Sequence, residues 1–218
     1  MRVCLHSANF GGIDDPVLHV DQVGVEVTAH TFTDENFPLR RRTMSARLKA
    51  RIPKMFGWDL LPGFDAYLWL DGVFRLSRPD SVAWLLEQLG DADLVIYRHS
   101  NRETIKEEAE FIRAKLAAGS QYLRTRYEGE DLDGQLAAIA ADPTYTDDRL
   151  YGSSAFLYRP TERVKAALTE WWVHTSRFHA VDQLALPYVL RHCAVRVIDQ
   201  DGRYATHLEW GRHRTNHV

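Results

Sequence analysis

Ala66-Tyr67-Leu68-Trp69-Leu70-Asp71-Gly72 is the stretch that decides the fold. Its first five residues are apolar without alternation, and the run is too short for a helix. It therefore reads as a strand buried on both faces, as in the middle of a mostly parallel sheet. The run stops at once on Asp71-Gly72, where the chain either makes an ordinary Asp-Gly turn or presents a carboxylate at the end of a central strand. Ligands of open α/β sheets bind at the carboxyl ends of the strands. A carboxylate there can hold a divalent cation or a ribose hydroxyl, with Gly72 leaving room for close approach.

The pattern on either side of this strand alternates between strand and helix. Residues 2–6 read as a first strand followed by the turn Asn9-Phe10-Gly11-Gly12, and 23–32 as a second strand, with Val23, Val25 and Val27 at period two, ending in Phe32-Thr33-Asp34. Residues 40–55 read as a basic helix carrying Arg40, Arg41, Arg42, Arg47, Lys49, Arg51 and Lys54, either a solvated face or a surface for a diphosphate. Downstream, a helix over 80–89 stopped by Gly90 and a strand over 93–98 imply a right-handed parallel crossover. Helices follow over 103–118 and 132–141, then a strand over 154–158 and a helix from its Thr161 cap to Trp172. A last helix over 182–192 is kinked or cut short by Pro187, and a strand over 194–198 ends the pattern. The expected fold class is α/β, one domain over 1–218 with its core in about 1–200 and a histidine-rich tail over 201–218.

Composition narrows the function. A chain of 218 residues, 45% hydrophobic and 26% charged, can bury a full core, which excludes a disordered chain. A net charge of -3 gives no global attraction to nucleic acid, so a dedicated duplex-DNA binder is disfavoured. Cys4 and Cys193 are expected reduced and buried. No apolar run approaches the roughly eighteen residues of a membrane span, and the start MRVCLHSANFGG lacks the pattern of a signal peptide. The expectation is a cytoplasmic protein. A GxSxG elbow, a Walker loop, a GxGxxG fingerprint and a Cys/His zinc cluster are all missing, so hydrolase, kinase and dehydrogenase readings lose their usual handles. His99 and Arg102 follow a strand end, where Arg102 can clamp a phosphate or pair with Glu107 or Glu108. Asp182-Gln183 opens a helix and reads either as a cap or as part of a site. His207, His213 and His217 have no metal-ligand spacing.

Together these residues resemble a family. The series Phe10-Gly11-Gly12-Ile13-Asp14, Phe32-Thr33-Asp34, Pro53-Lys54 and 61–72 is similar to the glycosyltransferase-like domain of the plant turgor-regulation-defect and mucilage-related proteins, which has bacterial and phage members. The order continues through His99-Ser100-Asn101-Arg102, Glu107-Glu108-Ala109, 152–158, Trp171-Trp172 and Asp182-Gln183-Leu184. The stretch from Ser153 to Gln183 resembles, more distantly, the acceptor-side segment of glycogenin-like transferases. The resemblance implies a GT-A, Rossmann-like fold and transfer of a hexosyl or pentosyl group from a nucleotide sugar, a UDP-sugar before others, to a hydroxyl. The acceptor is a glycan, a protein or, less favoured, a modified nucleobase in DNA.

It implies donor contacts from Phe10, Gly11, Phe32, Asp34, Lys54, Asp71, Gly72, His99 and Arg102, with Phe32 stacking on the base and Asp34 accepting from the ribose. Asp71 matches the first carboxylate of an Asp-x-Asp motif, and Val73 stands where the second would be. A manganese or magnesium ion would then rest on Asp71, the diphosphate, water and His207. Asp182, with Gln183, would take the acceptor proton or orient the sugar. The competing expectation is a catalytically weak nucleotide- or carbohydrate-binding module on the same fold.

Overall fold

A computed structural model describes residues 1–37 and 44–211. The strands are β1 (Arg2–Ala8), β2 (Glu26–Phe32), β3 (Ala66–Leu70), β4 (Phe74–Leu76), β5 (Leu94–Arg98), β6 (Tyr151–Tyr158), β7 (Val195–Ile198) and β8 (Leu208–Trp210). The helices are α1 (Ala46–Leu60), α2 (Ser81–Leu89), α3 (Ile105–Ala117), α4 (Gln121–Tyr127), α5 (Leu132–Ala140), α6 (Glu162–Arg177) and α7 (Asp182–Val189). Six strands form one sheet in the order β2-β1-β3-β6-β5-β7, and β4 and β8 form a separate antiparallel ribbon.

All five residues of β3 are buried, because both faces of the sheet are covered. Tyr67 and Trp69 point into a core shared with Ile112, Trp171 and Leu184, on the side of α1, α3, α6 and α7. Ala66, Leu68 and Leu70 point into the other core, closed by Val82, Leu85 and Leu89 of α2. The sheet is mostly parallel: β1 pairs parallel with β2 and β3, and β5 with β7. The exception is β6, antiparallel to both β3 and β5. The β3-α2-β5 connection therefore joins two strands that run the same way but do not touch, with β6 inserted between them.

Local chemistry sets the helix ends. Ser45, Thr104, Ser120 and Thr161 each accept from the backbone N–H three residues on, capping α1, α3, α4 and α6. Of the basic segment expected over 40–55, the described part forms α1 from Ala46, which runs on to Leu60. Arg40, Arg41 and Arg42, like His213 and His217, lie outside the described residues. Pro53 removes one hydrogen bond within α1, and the backbone at Phe56 (φ -120°, ψ 19°) leaves the helical region. Pro187 lies inside α7, which ends two residues later at Val189. Both cysteines are free; Cys4 is buried, whereas Cys193, expected buried, is half-exposed beside the carbonyl of Arg163. Among the described residues no helix is long and apolar enough to cross a membrane.

Candidate active site

Four strand ends meet at one edge of the sheet. The parallel strands β1, β2, β3 and β5 finish there, followed by Asn9, Thr33, Asp71 and His99, and the antiparallel β6 begins there at Tyr151. The centre of this edge is Lys54, which is fully buried. Its ammonium donates to Asp182 Oδ2 at 2.6 Å and Asp71 Oδ1 at 3.2 Å. It also lies 5.5 Å from the ring centre of Trp69 and 5.6 Å from that of Trp171. Trp69 Nε1 donates to the same Asp71 oxygen at 2.8 Å. Asp71 keeps 32% of its side chain exposed, against 3% for Asp182. Asp71 is therefore the member of the cluster that a ligand can reach.

Asp182 is held from every side. Arg51 Nη1 lies 3.2 Å from Oδ2, Ser153 Oγ donates to Oδ1 at 3.1 Å, and Trp171 Nε1 donates to the backbone carbonyl at 2.9 Å. Burial alone would push its carboxyl pKa up, but Arg51 and Lys54 hold it below the usual carboxylate range. It is ionised at neutral pH and already committed to two cations. Arg51 and Ser153 are partners that no single motif announced. The spacing of Arg51 and Lys54, three apart on one helix, was the available signal.

The other expected residues fall into two groups flanking this centre. On one side, Gly11, in the left-handed region at φ 74°, donates its N–H to Asp34 Oδ2 at 2.7 Å, and Lys49 Nζ lies 3.2 Å from Oδ1. Those two contacts hold Asp34 below the usual carboxylate range. Phe10 and Phe32 are buried, packed on Phe37 at 6.2 and 5.3 Å between ring centres. The Phe32 ring is therefore part of the core and is not presented for stacking on a base. On the other side, His99, Arg102 and Gln183 line a pocket of about 210 Å³ with Ser154 and Arg203. The pocket adjoins Asp71, whose N–H donates to the Ser154 carbonyl at 2.8 Å. Arg102 is paired with Glu108 and lies 4.0 Å over the ring of Phe111, the internal pairing that its sequence context allowed. Burial lowers the His99 pKa, with Glu108 opposing. Gly72 is tightly enclosed: a Cβ there would lie 2.9 Å from Asp14 Oδ2 and 3.1 Å from the Ala8 carbonyl.

His207 is not at this edge. It stacks on Trp84 at 4.2 Å and faces Asp80, beyond the end of the β4–β8 ribbon remote from Asp71, because the register pairs Leu208 with Leu76. Val73 is buried in the α2-side core. Among the described residues no group of three or more His, Cys, Asp or Glu is arranged to hold a metal. A cation at Asp71 would also sit beside the Lys54 ammonium. The described side chains therefore do not by themselves make a resident metal centre.

No protein-family model and no curated protein matches the chain. Solved structures do. The apo structure of the bifunctional glycosyltransferase WbbM matches at a TM-score of 0.50 and 11% identity over 91% of this chain. This chain spans 38% of the length of WbbM. Apo mouse xyloside xylosyltransferase 1 is similar at a TM-score of 0.47 and 10% identity, covering 92% of this chain and 86% of that one. A glycosyltransferase involved in glycosylating the major capsid of PBCV-1 is similar at 0.45 and 9%, covering 94% and 84%. At these identities the likeness is one of fold: this is a glycosyltransferase-like α/β fold with a mostly parallel six-stranded sheet.

Proposed function

We propose that the chain is a glycosyltransferase domain, akin to the plant turgor-regulation-defect and mucilage-related family that its motifs resemble, moving a sugar from a nucleoside diphosphate, UDP before others, to a hydroxyl. The observation that carries this reading is the Lys54, Asp71, Asp182 and Arg51 cluster at the ligand-binding edge of the sheet. A structural ion pair has no need to leave one carboxylate a third exposed at a strand end, and a binding site does.

In this reading Asp71 touches the donor, and Lys54, out of reach of any ligand, fixes its orientation. Gly11 and Asp34 take the nucleoside side. The anomeric carbon–oxygen bond breaks toward the diphosphate, which leaves with the electron pair, while the acceptor oxygen bonds to the anomeric carbon and gives its proton to the departing diphosphate oxygen or to water. Asp182, ionised and enclosed by cations, is a positioning residue that holds Lys54 and Arg51, and is a poor base for the acceptor hydroxyl.

The test is calorimetric binding of uridine, guanosine, cytidine and thymidine diphosphate sugars, with release of free nucleoside diphosphate, on the intact chain and on Asp71→Asn, with and without manganese. The expected result is binding and slow hydrolysis of one donor, both lost in Asp71→Asn. Binding without release even when acceptors are supplied would favour the catalytically weak binding module. No binding of any donor would end the nucleotide-sugar reading.

A further inference from the structure

The face of α1 that carries Lys54 continues outward through Arg51 to Arg47, since positions 47, 51 and 54 fall on one side of a helix. The two inner cations are neutralised by Asp71 and Asp182. Arg47 is not. Its guanidinium lies 5.1 Å over the ring of Tyr127 at the end of α4, and no carboxylate among the described residues comes within ion-pairing distance. Arg126 of α4 is in the same condition: it donates to the Tyr122 hydroxyl and lies 3.7 Å over that ring, with no acid beside it.

The two arginines are neighbours, since the ring that Arg47 covers belongs to Tyr127, the residue next to Arg126. Burial first, then the like charges of Arg126 and Arg51, hold the Arg47 pKa below the usual arginine range, with Tyr127 opposing. Glu130, the acid whose charge is felt by both Arg47 and Arg51, spends Oε2 on the Ala180 N–H at 2.7 Å and does not close on either. Half-buried like charges with no carboxylate in contact cost stability, and an anionic ligand offsets that cost.

Resting on the glycosyltransferase reading, we infer that Arg47 and Arg126 together bind an anionic group, a phosphate or carboxylate, carried by the acceptor. The position favours the acceptor over the donor diphosphate. Lys49, on the opposite side of α1, serves the Gly11 and Asp34 end assigned to the nucleoside. Arg47 and Arg126 instead gather at the end of α4, where the Tyr127 ring covered by Arg47 stacks on His179 at 5.2 Å, three residues before Asp182. The exposed ring of Tyr122 beside Arg126 adds an apolar face of the kind on which a sugar ring packs.

The experiment measures calorimetric binding of glucose 6-phosphate, glucuronate, glucose and UDP to the full chain and to the Arg47→Ala/Arg126→Ala double variant, after circular dichroism shows the variant folded. Lys substitutions at both positions serve as a second variant that keeps charge but not the planar fork. We expect one or both anionic sugars to bind and glucose not to. The double Ala variant should lose about ten- to a hundredfold in affinity for the bound anion, the worth of charge-assisted hydrogen bonds of this kind, and less than about twofold for UDP. The Lys variant should fall between. Equal loss of UDP would assign the pair to the donor diphosphate, and failure of both anionic sugars to bind, or binding unchanged in the Ala variant, would also overturn the inference. Binding of UDP to the unaltered chain in any of these cases leaves the transferase reading standing, so the two fail separately.

Discussion

A lysine with no solvent exposure survives in a protein interior only if its charge is met, and Lys54 is met twice, by Asp182 and Asp71. The two tryptophan faces at 5.5 and 5.6 Å complete its surroundings. Replacing Lys54 with Met keeps the volume but leaves Asp182 buried with Arg51 as its one cation, beside the Ser153 hydroxyl, and the Asp71 carboxylate with the Trp69 N–H. Breaking such a pair costs about 3–5 kcal/mol. Urea unfolding of Lys54→Met should therefore show a loss of about that size, while Lys54→Met/Asp182→Asn recovers part of it by removing the stranded charge. A loss below about 1 kcal/mol in the single variant, the range of exposed ion pairs, would contradict a buried, fully engaged lysine.

At the scale of elements, what could be read from the sequence depended on length and pattern. The β3 run, the α2 helix with its Gly90 stop and the Thr161 cap stand where the residues placed them, because each is a strong local signal. The antiparallel direction of β6 has no local signature, since a strand buried on both faces looks the same either way round. The ribbon β4–β8 is only three residues on each side, and α4 buries Leu123 alone, so neither raised a pattern. Asp71 was legible as a candidate from its strand end. Its link to Asp182 runs through Lys54, 128 residues before Asp182, and depends on α1 packing on α6, which in turn packs on α7, an arrangement that only the fold supplies. One tight contact of α1, on its sheet side, is testable. Gly57 of α1 packs on His6 of β1, and a Cβ there would lie 2.4 Å from Nε2 and 2.5 Å from Cδ2 of the ring. Helix propensity favours alanine by about 1 kcal/mol, but overpacking costs about 1–3 kcal/mol and here meets a ring wedged against Tyr67 and Trp69. Gly57→Ala should lower the midpoint of thermal unfolding, and His6→Ala/Gly57→Ala should be more stable than the sum of the single changes predicts. Additive effects would deny the contact.

For the whole molecule, the same His6 links stability to pH. The ring is completely buried between β1 and α1, with neither nitrogen in a hydrogen bond of good geometry. Burial pushes its pKa down to about 3, and nearby backbone of Cys4 and Leu68 offsets only part of this. In the unfolded chain the same histidine titrates near its ordinary value of about 6.5. Between those values the unfolded state binds a proton that the folded state refuses. Stability is therefore full above about pH 6.5 and falls as pH drops toward 3, the sign expected for a base with a depressed folded-state pKa. Going from pH 7 to pH 5, this one ring removes about 2 kcal/mol. His179, lowered to about 4 by burial, works in the same direction, whereas Asp182, ionised throughout this range, does not contribute to it. His6→Leu keeps an apolar side chain in the slot and deletes the titration. Urea unfolding at the two pH values should then show the wild type losing about 2 kcal/mol more than His6→Leu. Because each protein is compared with itself, any packing defect in the variant cancels. Equal losses would mean that the ring is protonated, or free to become so, in the folded state, and that β1 and α1 are less tightly closed over it than the lack of room for a Cβ at Gly57 implies.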